Sequence, residues 1–99
     1  MISYRLIDNE YNPEETFEIL SFLLGTKIKF LNRRKFEILE SGGSAQHIDK
    51  RIEELRLSQE KLFEDMMMTK RRGEKLKINC IVEVEAFQKE NEDVKVPNL

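Results

Sequence analysis

Ninety-nine residues allow a single domain, and a content of 39% apolar and 36% charged residues gives it a small core and a heavily charged exterior. A membrane-spanning protein is excluded, because no stretch approaches the roughly 20 apolar residues a span needs; a disulfide-stapled mini-protein is excluded too, because Cys80 is the only cysteine. The net charge of −2 argues against a generic nucleic-acid binder, although the charge is uneven: −4 over residues 1–25, +3 over 26–43, +1 over 44–72 and −2 over 73–99.

Residues 2–7 alternate, with Ile2, Tyr4 and Leu6 on one side and Ser3 and Arg5 on the other, which predicts a half-buried strand. Asn12-Pro13-Glu14-Glu15 then predicts a helix start. Asn12 serves as the cap, Pro13 suits the first helical position, and Glu15 stands where a capping box needs it. Phe17, Ile19, Leu20, Phe22, Leu23 and Leu24 supply its apolar residues, and Gly25 offers a left-handed C-cap, so the helix is predicted over 13–24.

Residues 26–40 support two readings. As helix, Ile28, Leu31, Ile38 and Leu39 continue the stripe. As strands, 27–31 and 35–40 alternate, with Asn32-Arg33-Arg34 at a hairpin tip that lacks the Asn-Gly or Asp-Gly signal. Ser41-Gly42-Gly43 is a break in either case.

With Ser44 as cap, residues 45–72 read as a long helix bearing Ile48, Ile52, Leu55, Leu62, Phe63 and Met66. Acids lead it, bases end it and Gly73 follows as C-cap, an order that complements the helix dipole. At 1.5 Å per residue it is roughly 40 Å long, more than a domain of this size needs. Residues 76–86 alternate again, placing Leu76, Ile78, Cys80, Val82, Val84 and Ala86 on one side, with only Ile81 breaking the polar side. A helical stripe through Leu76, Cys80, Val84 and Phe87 is the alternative, and the β-branched residues favour strand. The domain is thus expected over 1–87, with a polar tail over 88–99.

The order strand, helix, strand, strand, helix, strand favours an α+β fold: a four-stranded sheet with two helices in the split β-α-β, ferredoxin-like arrangement, the second helix overlong. A two-stranded ribbon by itself is marginal in water, which is what favours the four-stranded reading. The alternative is a long helical hairpin, 13–40 against 45–72, with short terminal strands. Neither plan carries an activity with it.

Little in the sequence points to catalysis. His47, the only histidine, has only Asp49 close by in sequence, and the nucleophile–base–orienter set has no visible members. Cys80 lies on an apolar strand face with no neighbouring base to activate it. Gly42-Gly43-Ser44 lacks the lysine of a phosphate-binding loop, and no zinc-like spacing is present. No cofactor or metal is expected, and the chain is read as not an enzyme.

Two clusters remain. Lys27, Lys29, Arg33, Arg34 and Lys35 with Phe30 and Phe36 would form a basic hairpin able to track phosphates, in which Lys27 and Lys29 share a face. Met66-Met67-Met68 follows Phe63, and three consecutive Met cannot all face one core, so Met67 or Met68 is expected to be exposed for contact. The leading expectation is a non-catalytic interaction module: a homodimeric regulator, adaptor or inhibitor of a larger protein, with Phe63, Met66, Met67 and Met68 at the interface. The alternative is a small nucleic-acid-binding regulator using residues 27–35 and 70–77. One free cysteine and the absence of a signal-like N-terminus suit a reducing cytoplasm.

Overall fold

The computed structural model describes residues 1–88; apart from Gln88, the expected polar tail lies outside the described residues. Its elements are β1 (Ile2–Tyr11), α1 (Pro13–Glu40), α2 (Gln46–Arg71) and β2 (Leu76–Val84). The helices form an antiparallel hairpin, and β1 pairs antiparallel with β2 in a two-stranded sheet. This overturns the four-stranded, ferredoxin-like arrangement: residues 26–40 are helix, not two strands. The chain adopts the helical-hairpin plan, with terminal strands longer than expected.

The start of α1 forms as its sequence dictates. Asn12 Oδ1 accepts from the Glu15 backbone N–H at 2.7 Å, and the Asn12 N–H donates to Glu15 Oε1 at 3.0 Å, a complete capping box. The expected C-cap at Gly25 does not form, and α1 runs straight through it. One interior glycine costs only about 1 kcal/mol relative to alanine. Leu24 just before it and Ile28, Leu31 and Ile38 beyond it pack toward α2, and their burial outweighs that cost. The Lys27–Phe30 alternation that suggested a strand is also compatible with this helical stripe.

The helix ends at the true break. Gly42 has φ +82°, its N–H donates to the Leu39 carbonyl, and the Gly43 N–H donates to the Ile38 carbonyl at 2.9 Å. This pair of bonds defines a Schellman motif, in which the first residue past the cap is left-handed. Gly73 closes α2 in the same way, with φ +66° and bonds from Gly73 and Glu74 to the Lys70 and Thr69 carbonyls. The expected capping by Ser44 is not seen: Ala45 takes the N-cap position, with no side-chain bond.

The register is simple. Lys35–Asp49, Gly25–Gln59 and Glu14–Lys70 approach one another across the hairpin, and in each pair the residue numbers are symmetric about Gly42. The strands continue the same folding-back, from Tyr11 opposite Leu76 to Ile2 opposite Val84. Residues 2–84 form one hairpin that begins, at its turn, as helices and ends as strands.

A chain folded once on itself makes a single layer. The molecule measures 52 × 30 × 14 Å, and its radius of gyration is 17.2 Å, against about 13 Å for a compact 100-residue domain. The core is correspondingly small. Leu31, Ile48, Ile52 and Leu55 form its buried centre near the turn, with Leu24, Ile28 and Ile38 against them. The ribbon approaches α1 and not α2.

Candidate interaction surfaces

Two apolar surfaces are left uncovered. The first is a cleft of about 180 Å³ at the open end of the helical hairpin, lined by Pro13, Glu14, Phe17, Phe63, Met66, Met67 and Lys70. Phe17 and Phe63 meet edge to face there, with ring centroids 5.9 Å apart. Lys70 Nζ bonds Glu14 Oε1 at 2.8 Å beside them. That bond, followed by the Glu14 backbone N–H, holds the Glu14 carboxyl below its usual range, and the same bond raises the Lys70 ammonium above its own.

Of the four expected interface residues, Phe63, Met66 and Met67 come together in this cleft. Met68 does not. Consecutive residues are about 100° apart around a helix, so Met68 points well away from the side carrying Met66, and it stands exposed by itself. Phe17 also belongs to the cleft; the sequence placed it among the apolar residues of α1 and not at the interface.

The second surface is one side of the β ribbon. By strand alternation and register, Ile7 and Tyr11 of β1 share a face with Leu76, Ile78 and Cys80 of β2. Ile2 and Tyr4 would fall on the other face by simple alternation. A bulge between Arg5 and Ile7 shifts the register by one residue and brings them round beside Val82 and Val84. The same shift gathers charge on the opposite face. Arg5 and Asp8 would otherwise point to opposite sides; here Arg5 Nη1 bonds Asp8 Oδ2 at 2.8 Å, with Lys77 Nζ 3.5 Å from the other oxygen. The Arg5 bond, then the Lys77 charge, hold the Asp8 carboxyl below its usual range.

Burial on the apolar face fades with distance from α1. Ile78 is 8% exposed and Cys80 is half-buried, whereas Val82 is 37% and Tyr4 55% exposed. In the first turn of α1, Thr16 is buried with its hydroxyl unpartnered.

The basic segment is arranged differently from the expected hairpin. On α1, Lys27 and Lys29 lie about 200° apart and share no face. Lys35 is engaged by Asp49 of α2, and the Arg33 guanidinium stacks 5.2 Å from the Phe30 ring centroid, with Glu37 close by. The helix therefore spreads five cations around its circumference. His47 lies in the first turn of α2 and Cys80 on β2, so the two residues with the most versatile chemistry sit on different elements.

The chain matches no protein-family model, no curated protein and no solved structure. Among the described residues, no helix is long and apolar enough to cross a membrane.

Proposed function

We propose that this protein is a non-catalytic, cytoplasmic interaction module that works as a homodimer and regulates, bridges or inhibits a larger protein. The carrying observation is the balance of its apolar side chains. Among the described residues, seven hydrophobic residues are buried, whereas sixteen large ones are exposed. Isolated exposed apolar residues are ordinary, but clustered ones mark contact surfaces. Six of the sixteen form two clusters, Phe63 and Met67 in the Phe17–Met67 cleft and Ile2, Tyr4, Val82 and Val84 on the distal ribbon, while the rest, Phe22 and Phe36 of α1 among them, are scattered. A domain is normally built from two packed layers around one core, and a slab 14 Å thick supplies one.

The non-catalytic part of the reading rests on the separation of His47 from Cys80 and on the apolar character of the Phe17–Met67 cleft. Phe63, Met66 and Met67 offer that cleft to an apolar side chain of the larger partner, with the Glu14–Lys70 pair at its edge as a polar anchor. Methionine suits such a contact because its thioether adapts to the shape presented to it.

Light scattering of the full chain across a concentration series tests the reading. The dimer mass is expected. A monomer at every concentration would overturn it, and so would sub-micromolar, salt-sensitive oligonucleotide binding that Arg33→Ala/Arg34→Ala abolishes.

A further inference from the structure

We infer that the apolar face of the β ribbon packs on the same face of a second copy, so that two one-layer molecules close a two-layer core between their ribbons. This deepens the homodimer reading and rests on it; what it adds is the face and the occupant.

Three observations carry it. The first is the bulge. Without it, Ile2 and Tyr4 would fall on the face that carries Asp8 and Glu10; with it, the uncharged face extends past the end that α1 covers. A register shift that prolongs an apolar surface beyond its own cover points to a second cover.

The second is charge. Ile2, Tyr4, Val82 and Val84 at the bare end are all uncharged, as are the residues that continue the face toward α1, in a chain of which 36% is charged. An interface between two identical copies sets a patch against itself, so any charge in it meets its own sign unless the patch also carries the opposite charge. An uncharged patch meets that condition. The opposite face, with Arg5, Asp8, Lys77 and Glu83, is the one suited to water.

The third is the graded burial. Exposure on β2 climbs from Ile78 through Val82 to Val84, which is 45% exposed, as the strand leaves α1. On β2 cover is thus missing at the distal half, and on β1 the polar Asn9 opposite Ile78 is the exposed residue of the proximal half; a second ribbon laid across the distal half supplies cover without displacing α1. A lone two-stranded ribbon is marginal in water, whereas two packed face to face bury both apolar sides at a spacing of roughly 10 Å.

The test uses the full chain and reads mass and cross-linking. Val82→Lys puts a charge on the apolar face at an already exposed position, and it is expected to run at the monomer mass with an unchanged far-UV spectrum. Ile81→Glu, on the charged face opposite Arg5, and Met67→Glu, in the cleft, are expected to remain dimeric. In a Cys80→Ala background, Val82→Cys is expected to cross-link between copies with a bis-maleimide about 10 Å long, the spacing of packed sheets. Ile81→Cys, a sheet thickness further away on each copy, is expected not to.

Should Val82→Lys fail to fold, the cross-linking pair decides. A dimeric wild type whose Val82→Cys variant gives no linked product, or which only Met67→Glu dissociates, would overturn this inference and leave the homodimer reading standing. A monomeric wild type would overturn both.

Discussion

The helical and strand halves of this molecule are built by the same folding-back about Gly42, yet one half closes a core and the other does not. The reason is the direction of the side chains. In a helical hairpin, each stripe points sideways at the partner helix, so Leu31 and Ile28 meet Ile48, Ile52 and Leu55 within the plane of the slab. In a strand hairpin, the partner strand takes only backbone hydrogen bonds, while the side chains stand perpendicular to the pair. β1 and β2 therefore satisfy each other's backbone and bury little. One layer serves helices better than strands: six of the 19 strand residues are exposed large hydrophobics, against eight of the 54 helical residues.

The comparison breaks most visibly at Leu31, which is 1% exposed. Leu31→Ala should cost about 3 kcal/mol, the usual scale for a leucine truncated in a packed core. Val82→Ala, measured in protein dilute enough to be monomeric, should stay within about 0.5 kcal/mol, as exposed positions do. Urea unfolding of the two variants gives both numbers. Equal losses would mean that the ribbon is buried in the monomer and that the contrast between the halves is mistaken.

A smaller effect of opposite sign sharpens the same contrast. A Cβ added at Gly25 would find its nearest neighbour, Gln59 Nε2, at 4.0 Å, an ordinary contact. Gly25→Ala should therefore stabilise by about 0.5–1 kcal/mol, through helix propensity alone. The gain should appear as a higher urea midpoint with an unchanged slope. A loss would show that α1 needs its glycine for close approach to α2.

Much of this architecture was legible in the residues. Asn12-Pro13-Glu14-Glu15 set the start of α1, Gly73 set the end of α2, and alternation at both termini set the two strands. The middle misled because Ile28 and Phe30 alternate with lysines while Ile28 also falls in step with Leu24 and Leu31. Short segments carry both periods, and only the packed partner decides between them. The bulge at Leu6 was hidden for a related reason. The run Ile2, Tyr4, Leu6 is continuous by eye, and only the switch of apolar residues to Ile7 and Tyr11 betrays the shift. At the cleft, Phe63 and Met66 were visible as the end of a helical stripe, whereas Met67 and Met68 were grouped with them by sequence adjacency, which a helix respects for Met67 and not for Met68. Phe17 could have been found by reflecting the chain about Gly42, which carries it to Met67 and carries Glu14 to Lys70.

That last pair gives the smallest effect and the most specific one. Both groups are exposed, so the bond between them contributes little to stability and its signature is a titration. Glu14 has its pKa lowered by the Lys70 bond and by its own backbone N–H; its contribution is in place above the unfolded carboxylate value and fades as pH falls through the lowered one. Lys70 has its pKa raised by the same bond; its contribution is in place below the unfolded lysine value and fades as pH rises through the raised one. The pair therefore acts across the whole neutral range and weakens only at its two ends. Lys70→Met should move the Glu14 carboxyl upward toward its ordinary range in an NMR titration while leaving Asp8, held by Arg5 and Lys77 on the ribbon, where it was. An unmoved Glu14 would mean that the cation does not sit at the edge of the cleft in solution. A shift of Asp8 alongside it would mean that the open end of the hairpin and the charged face of the ribbon are coupled and do not behave as two separate surfaces.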